Sequence, residues 1–478
     1  MSTSPLLATS ATDLAAMIRR KALSATELLE AHLAQIQRHN AALNAVVTLD
    51  ETGAREQARQ ADLALARGEV WGPLHGVPVT IKDSFETAGI RSTCGHRRFA
   101  HHVPDRDATV VTRMKQAGAI LLGKTNVPTL AIGYHTVNPV FGPSYNPWSP
   151  DRTPGGSTGG GSAAVAAGLS PLEIGTDCGG SLRIPAHFCG VYGFKPTEHR
   201  VSTAGHISGL PRSARGLRFA NVAGPVARSV RDLDLALSLL EGPDGRHWDV
   251  LPAPVEASPT RPLSEVTLAW TEGFGSVRVA GEIRAAIRRL VDRLDRAGAT
   301  MVERSLPHFR CRDVEWTFGV LAGFELGEAL PAIPSLMSRV LTSLSAGAAY
   351  RAALERRDAL IGEVEQVLSG VEAWICPVAS VTAFPAARRG NMLWEAPLDV
   401  DGSRVRYLEA AGAHTILFSL SGHPAAVIPL GLDSTGLPVG VQIVGRRWGD
   451  RRLLALVERI AELVGPPPMV PQLQTSKP

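Results

Sequence analysis

Near the start of the chain, apolar positions fall on a helical period. Ser24-Ala25-Thr26-Glu27 reads as a capping box, in which the serine oxygen and the glutamate each satisfy an N–H left open at a helix start. The stripe that follows, Leu28, Leu29, Leu33 and Ile36, repeats at about 3.6 residues. Val46 to Leu49 reads as a short strand, and Glu51 to Arg67 as an Ala-rich amphipathic helix ending at Gly68. Leu74 to Ile81 is the first run apolar enough for a buried strand, with Lys82 at its end. Ala108 to Ala117 then reads as helix, Ile120 to Leu122 as strand, and Lys124 to Pro128 as a turn.

From Tyr134 to Pro154 periodicity gives way to proline, asparagine and aromatic residues, the composition of an irregular loop that lines a pocket. Ser162 to Leu169, all small residues up to the last, predicts a tightly packed helix. Val230 to Leu240 carries a Leu/Val stripe, and Asp244 to Pro262 reads as a linker or surface excursion. Strand Val266 to Trp270, helix Glu282 to Ala297 and strand Ala299 to Val302 make a β-α-β unit. Trp316 to Arg357 reads as mostly helical, Trp374 to Val378 as strand, Phe384 to Tyr407 as a long surface loop or lid, and Leu453 to Leu463 as a closing helix. No internal repeat is present.

Composition narrows the function classes. A chain of 478 residues with 44% hydrophobic content can bury a large core. The formal charge of +4, without a Lys/Arg block, argues against a nucleic-acid partner. Five cysteines with no CxxC pair fit neither a disulfide framework nor a zinc site, and suit a reducing cytoplasm. No stretch approaches the ~18 apolar residues of a membrane span, and the N-terminus lacks the pattern of a signal peptide. The histidines show no HExxH or similar metal spacing, so no metal or other cofactor is expected.

The chemistry concentrates between Thr153 and Pro196, where two Gly-framed serines, Ser157 and Ser181, flank the small-residue helix. Glycine beside a serine lets backbone N–H groups approach a reacting atom with no side chain in the way. GGSTGGGSAA followed by GTDCGGSLRIPA resembles the amidase signature family, and GVPVTIKD supplies a lysine upstream where that family has one. The resemblance runs from the N-terminal helices to the strand near Val444, with FSLSGHPAAVIPL (Phe418 to Leu430) and LPVGVQIV (Leu437 to Val444) similar to the family's last two strands. It implies an α/β fold, a large twisted mixed β-sheet covered by helices on both sides. It also implies one domain over 1–478: helices of 1–70 on the outside, a catalytic core of 74–240 and 418–465, and a variable pocket-forming part at 263–407.

By the same resemblance Ser181 attacks the amide carbonyl. Ser157, in a cis peptide in this family, relays the proton, and Lys82 is the terminal base. A serine near neutral pH needs such a partner, and a desolvated lysine can act as a neutral amine. The N–H groups of Cys178, Gly179, Gly180 and Ser181 are expected to form the oxyanion hole, with Asp177 and Arg183 bracing the turn. Thr158 stands where many members carry serine. His187 is expected to be a core histidine rather than a partner of Ser181. Tyr134, Phe141, Trp148, Trp316 and Trp394 suggest an apolar pocket for aryl or alkyl amides, carbamates or esters, and Arg388 and Arg389 are the available anion clamps. The competing function within the family is the amide-cleaving component of a glutamine-dependent amidotransferase, which hands ammonia to a partner protein. HTVNPVFGPSYNPW and GLPRSARGL look more like free-standing hydrolases, commonly homodimers.

Two motifs mislead. Gly118 to Thr125 matches the phosphate-binding GxxxxGK[ST], but its interior is a strand rather than a loop. Gly155 to Gly159 matches GxSxG, yet NPWSPDRTP before it cannot form the central strand that a nucleophile elbow requires.

Overall fold

The computed structural model describes residues 3–206, 217–252, 261–306, 308–326, 346–387 and 396–471. Its first part contains α1 (Thr3–Ala8), α2 (Ala11–Arg19) and α3 (Ala25–Leu43), then the short strand β1 (Val46–Leu49) and α4 (Glu51–Ala66), which packs on α3. Ser24 and Glu27 form the capping box on α3, both halves present. β2 (Pro78–Lys82), α5 (Thr109–Gln116) and β3 (Ile120–Thr125) follow. A loop carrying the two-residue strands β4 (Val137–Asn138) and β5 (Gly142–Pro143) then leads to α6 (Gly159–Ala166), β6 (Leu172–Asp177), α7 (Arg183–Cys189), β7 (Tyr192–Lys195), β8 (Val222–Ala227) and α8 (Val230–Leu240). The remainder contains β9 (Thr267–Trp270), α9 (Gly281–Arg296), β10 (Thr300–Glu303), α10 (Cys311–Leu326), α11 (Ala346–Leu368) and β11 (Ala373–Pro377). It closes with β12 (Leu398–Val400), β13 (Ser403–Val405), α12 (Tyr407–Leu420), β14 (Ala425–Leu432), β15 (Pro438–Gly445) and α13 (Asp450–Val464).

Eleven of these strands form one mixed sheet in the order β1-β3-β2-β6-β8-β7-β14-β15-β11-β9-β10. Strands β3, β2 and β6 run parallel, as do β11, β9 and β10, and the strands between alternate antiparallel. Every residue of β2, β3, β6 and β8 is buried, so both faces of this half of the sheet are covered. Helix α6 packs very close to that sheet. A Cβ on Gly161 would sit 2.4 Å from the Glu173 carboxyl carbon, so only glycine lets the helix approach.

Three expectations need correcting. β3 runs through Lys124 and Thr125 instead of turning there, because both side chains are buried with partners of their own. Lys124 Nζ bonds Thr87 Oγ1 at 3.0 Å, Ser92 Oγ at 2.9 Å and the Phe85 carbonyl, so this GKT pattern holds the fold and has no loop for phosphate. Phe418 to Leu420 belong to α12 rather than to a strand; β14 starts at Ala425. That helix is apolar on every side and shows no stripe to read. Within Phe384 to Tyr407, the hairpin β12–β13 and buried Phe384, Val400, Val405 and Tyr407 replace the expected free surface loop. Trp394, Arg388 and Arg389 lie outside the described residues, as do parts of the Asp244–Pro262 and Trp316–Arg357 segments.

Candidate active site

The carboxyl ends of β2 and β6 and the segments leading into α6 and α7 converge on one buried spot. Lys82, the last residue of β2, is fully buried. Its Nζ lies 2.7 Å from Ser157 Oγ, 2.8 Å from Thr176 Oγ1 and 3.0 Å from Thr158 Oγ1. Burial disfavours the ammonium and pulls it down to about 7, against the opposing pull of Cys94, Glu173, Asp177 and Cys178. A neutral amine within hydrogen-bonding distance of a serine hydroxyl is a competent base near neutral pH. The peptide between Gly156 and Ser157 is cis.

Ser181 follows β6 on a tight turn and is 7% exposed. Its carbonyl accepts the Thr158 N–H at 3.1 Å, which ties the two serine segments together. Gly180 in that turn has φ +117°, and a Cβ there would strike Thr415 Oγ1 at 2.3 Å. The Asp177 carboxylate organises the turn from beneath: it accepts the N–H of Gly180 at 2.8 Å and of Leu182 at 3.1 Å. Burial works against its charge, but Arg183 outweighs that and holds Asp177 down to about 2. Arg183 reaches Asp177 through Nε at 3.0 Å and a terminal nitrogen at 2.9 Å, then Gln442 Oε1 at 3.0 Å and Ser419 Oγ at 2.8 Å.

That bracing leaves the N–H groups of the turn unequal. The Gly180 N–H is already donated to Asp177, whereas among the described residues the N–H groups of Cys178, Gly179 and Ser181 have no partner. These three are the donors the turn leaves open for a developing oxyanion. The carbonyl of Gly179 is held from outside by the Tyr134 hydroxyl at 2.9 Å and Thr415 Oγ1 at 2.8 Å. Cys178 is a poor rival nucleophile, because burial pushes its thiol far above its ordinary range.

The remaining expected residues divide. Tyr134 reaches the turn, but as a buried brace rather than an open pocket wall. Phe141 lies between β4 and β5 with the Arg91 guanidinium 4.8 Å over its ring, and Trp148 bonds the Cys189 carbonyl at 2.9 Å. Trp316 is 47% exposed, whereas Phe318, two positions along α10, comes within 3.9 Å of a Cβ built on Gly179. Two positions turn a helix by about 200°, so the two aromatics look in opposite directions. Ile416, at 3.5 Å from the same Cβ, adds an apolar face beside the Tyr134 hydroxyl at 3.4 Å. His187 makes its ring hydrogen bonds to the Val381 carbonyl and the Gly440 N–H, not to Ser181. Phe318, Ile416 and Thr415 carry no motif that marks them in the sequence; Thr176 lies within GTDCGGSLRIPA, one residue before Asp177.

Among the described residues no cluster of three metal-ligating side chains forms, and no helix is long and apolar enough to cross a membrane. The family model called Amidase matches residues 27–314 and 310–454. A glutamyl-tRNA(Gln) amidotransferase component from Anaeromyxobacter sp. (strain K) is 34% identical, over 95% of this chain and 96% of its own. A crystal structure of an amidase is 32% identical, covers 96% of this chain and 100% of its own, and superposes with a TM-score of 0.80. A bacterial aryl acylamidase of the amidase signature family is 28% identical, with 96% and 97% coverage and a TM-score of 0.84.

Proposed function

Since the chain belongs to the amidase family and is therefore a C–N hydrolase, we propose that it cleaves small carboxylic amides through an acyl-enzyme on Ser181, with Ser157 as relay and Lys82 as base. The observation that carries this reading is the buried Lys82 amine at 2.7 Å from Ser157 Oγ. In the attack, the bond from Ser181 Oγ to the amide carbon forms as its proton passes to Ser157 and that of Ser157 to Lys82. The N–H groups of Cys178, Gly179 and Ser181 stabilise the oxyanion. Collapse of the tetrahedral intermediate breaks the C–N bond, and Lys82 returns its proton through Ser157 to the leaving nitrogen. Water then releases the acid by the same route in reverse.

The apolar face of Phe318 and Ile416 beside Gly179 supports an aryl or alkyl amide, with carbamates and esters that fit turned over by the same acyl-enzyme. The curated relatives support a second reading better than this one. The curated relatives named as glutamyl-tRNA(Gln) amidotransferase components match nearly the whole chain, and they favour glutamine as the amide and a partner protein as recipient of ammonia. Both readings share the cleavage chemistry. Amine release by the purified chain over anilides, aliphatic amides, carbamates, esters and glutamine, with Ser181→Ala alongside, separates them. Turnover of an aryl or alkyl amide, lost in the variant, supports the free-standing hydrolase. Activity on glutamine alone, or none without a partner, supports the amidotransferase reading.

A further inference from the structure

A second ionisable group is built into the catalytic face of the sheet. Glu173 lies on β6, beside Thr80 of β2 in register, and is fully buried. Its carboxyl does not stay over its own strand. Oε1 accepts the hydroxyl of Thr125 at 2.6 Å, and Thr125 belongs to β3 on the far side of β2. The side chain therefore lies across β2, and Thr125 is itself the registered neighbour of Lys82. Thr80 and Lys82 alternate by two along β2 and so present their side chains to the same face. The carboxyl is thus laid beside the lysine stem. Its other oxygen, Oε2, makes no hydrogen bond of good geometry, although the Thr80 hydroxyl lies near enough to favour the charged carboxyl, and Gly161 above leaves the space that the group fills.

An isolated carboxylate in such a place is costly, and the fold needs only an acceptor for the buried Thr125 hydroxyl, which a neutral amide would supply as well as an acid. We propose that Glu173 is a positioning residue for Lys82, forming with it a buried acid–base couple whose shared proton load decides when the amine is free to act as base. The inference rests on Lys82 being the base of the proposed reaction.

The charge logic follows from what surrounds the pair. Lys82 is faced by Cys94, Glu173, Asp177, Cys178 and His206, and Glu173 by Lys82 and Lys124. Burial raises Glu173 to about 7, and the same burial lowers Lys82 to about 7. Groups matched this way exchange protons as a pair. With the proton on the carboxyl, the amine is neutral and ready. With the proton on the amine, the carboxylate beside it stabilises the ammonium. Removing the carboxyl therefore leaves Lys82 easier to deprotonate.

The test is the pH dependence of Ser181 sulfonylation by phenylmethylsulfonyl fluoride, read by intact mass. In that reaction the Oγ–S bond forms, fluoride leaves with the S–F electron pair, and the serine proton passes to the base. Glu173→Gln, which keeps the acceptor for Thr125, should shift the acid limb of the rate profile down by about one pH unit. Thr125→Val, which withdraws the hydroxyl that favours the ionised carboxyl, should shift it in the same direction by less, and decides the matter if the first variant does not fold. An acid limb that stays put in a folded variant overturns the inference. Failure of the wild type to label at Ser181 at all would instead overturn the catalytic reading beneath it.

Discussion

Arg183→Met removes the buried cation beneath the turn that bears Ser181 and leaves Asp177 with three backbone N–H groups and the Ser419 hydroxyl but without its ion-pair partner. Both side chains are fully buried, so solvent does not screen the loss. Breaking such a pair from one side costs about 3–5 kcal/mol, and Asp177→Asn should cost a similar amount from the other. The double variant should be less destabilised than the two losses added together, with a coupling of about 2 kcal/mol, because no uncompensated charge remains. Urea unfolding at pH 7 gives all four stabilities. The wild type carries a further signature. Asp177 sits at about 2 when folded against 3.8 in the open chain, a depressed carboxyl, so its contribution is present above about pH 4 and lost as pH falls toward 2. The shift corresponds to about 2 kcal/mol, and Asp177→Asn should lack this component of acid destabilisation. Turnover should fall about 10²-fold in either single variant, through the displaced oxyanion donors. Single variants within about 1 kcal/mol of wild type would refute the role given to this pair.

Lys82→Met should abolish turnover yet fold more stably at pH 7, by up to about 4 kcal/mol. The buried amine titrates near 7 instead of 10.5, so the unfolded chain binds the extra proton. The variant's advantage should therefore shrink as pH rises toward 10, as thermal melts over pH would register. Ser181→Ala and Ser157→Ala should each cost at least ~10³ in rate without unfolding the protein, and circular dichroism beside the rate assay checks both halves. Phe318→Ala should change the ranking of acyl groups in kcat/KM, whereas Trp316→Ala should leave that ranking alone. Gly161→Ala should destabilise by about 1–3 kcal/mol through the clash with Glu173, measurable by urea unfolding.

What the chain disclosed about itself depended on how local each signal was. The capping box at Ser24, the stripe of α8 and the β9-α9-β10 unit were readable because amphipathic faces and caps are written within a few residues. Helix α12 was not, since it is buried on all sides and carries no polar face to set a period. Lys124 and Thr125 looked like turn residues because their polarity was visible while their buried partners, tens of residues away, were not. In the site, Lys82, Ser157 and Ser181 could be singled out by motif and resemblance. Gln442 and Ser419, which complete the support of Arg183, come from segments with no local mark of that role. Trp316 stands out in the sequence and Phe318 does not, because an aromatic at a given position does not declare its helix face until the neighbours on α12 are known.

The contacts of Arg183 also bear on when the molecule becomes active during its synthesis. Its partners Gln442 and Ser419 are 259 and 236 residues further along the chain, so the turn bearing Ser181 leaves the ribosome long before its foundations exist. At roughly 5–20 residues per second that interval is about 13–50 s. Throughout it the nascent polypeptide carries its serines and lysine without the frame that holds them, and a transcript cut short anywhere upstream of Gln442 yields an idle product. Translation through Gln442 is thus the step that completes the support of this turn.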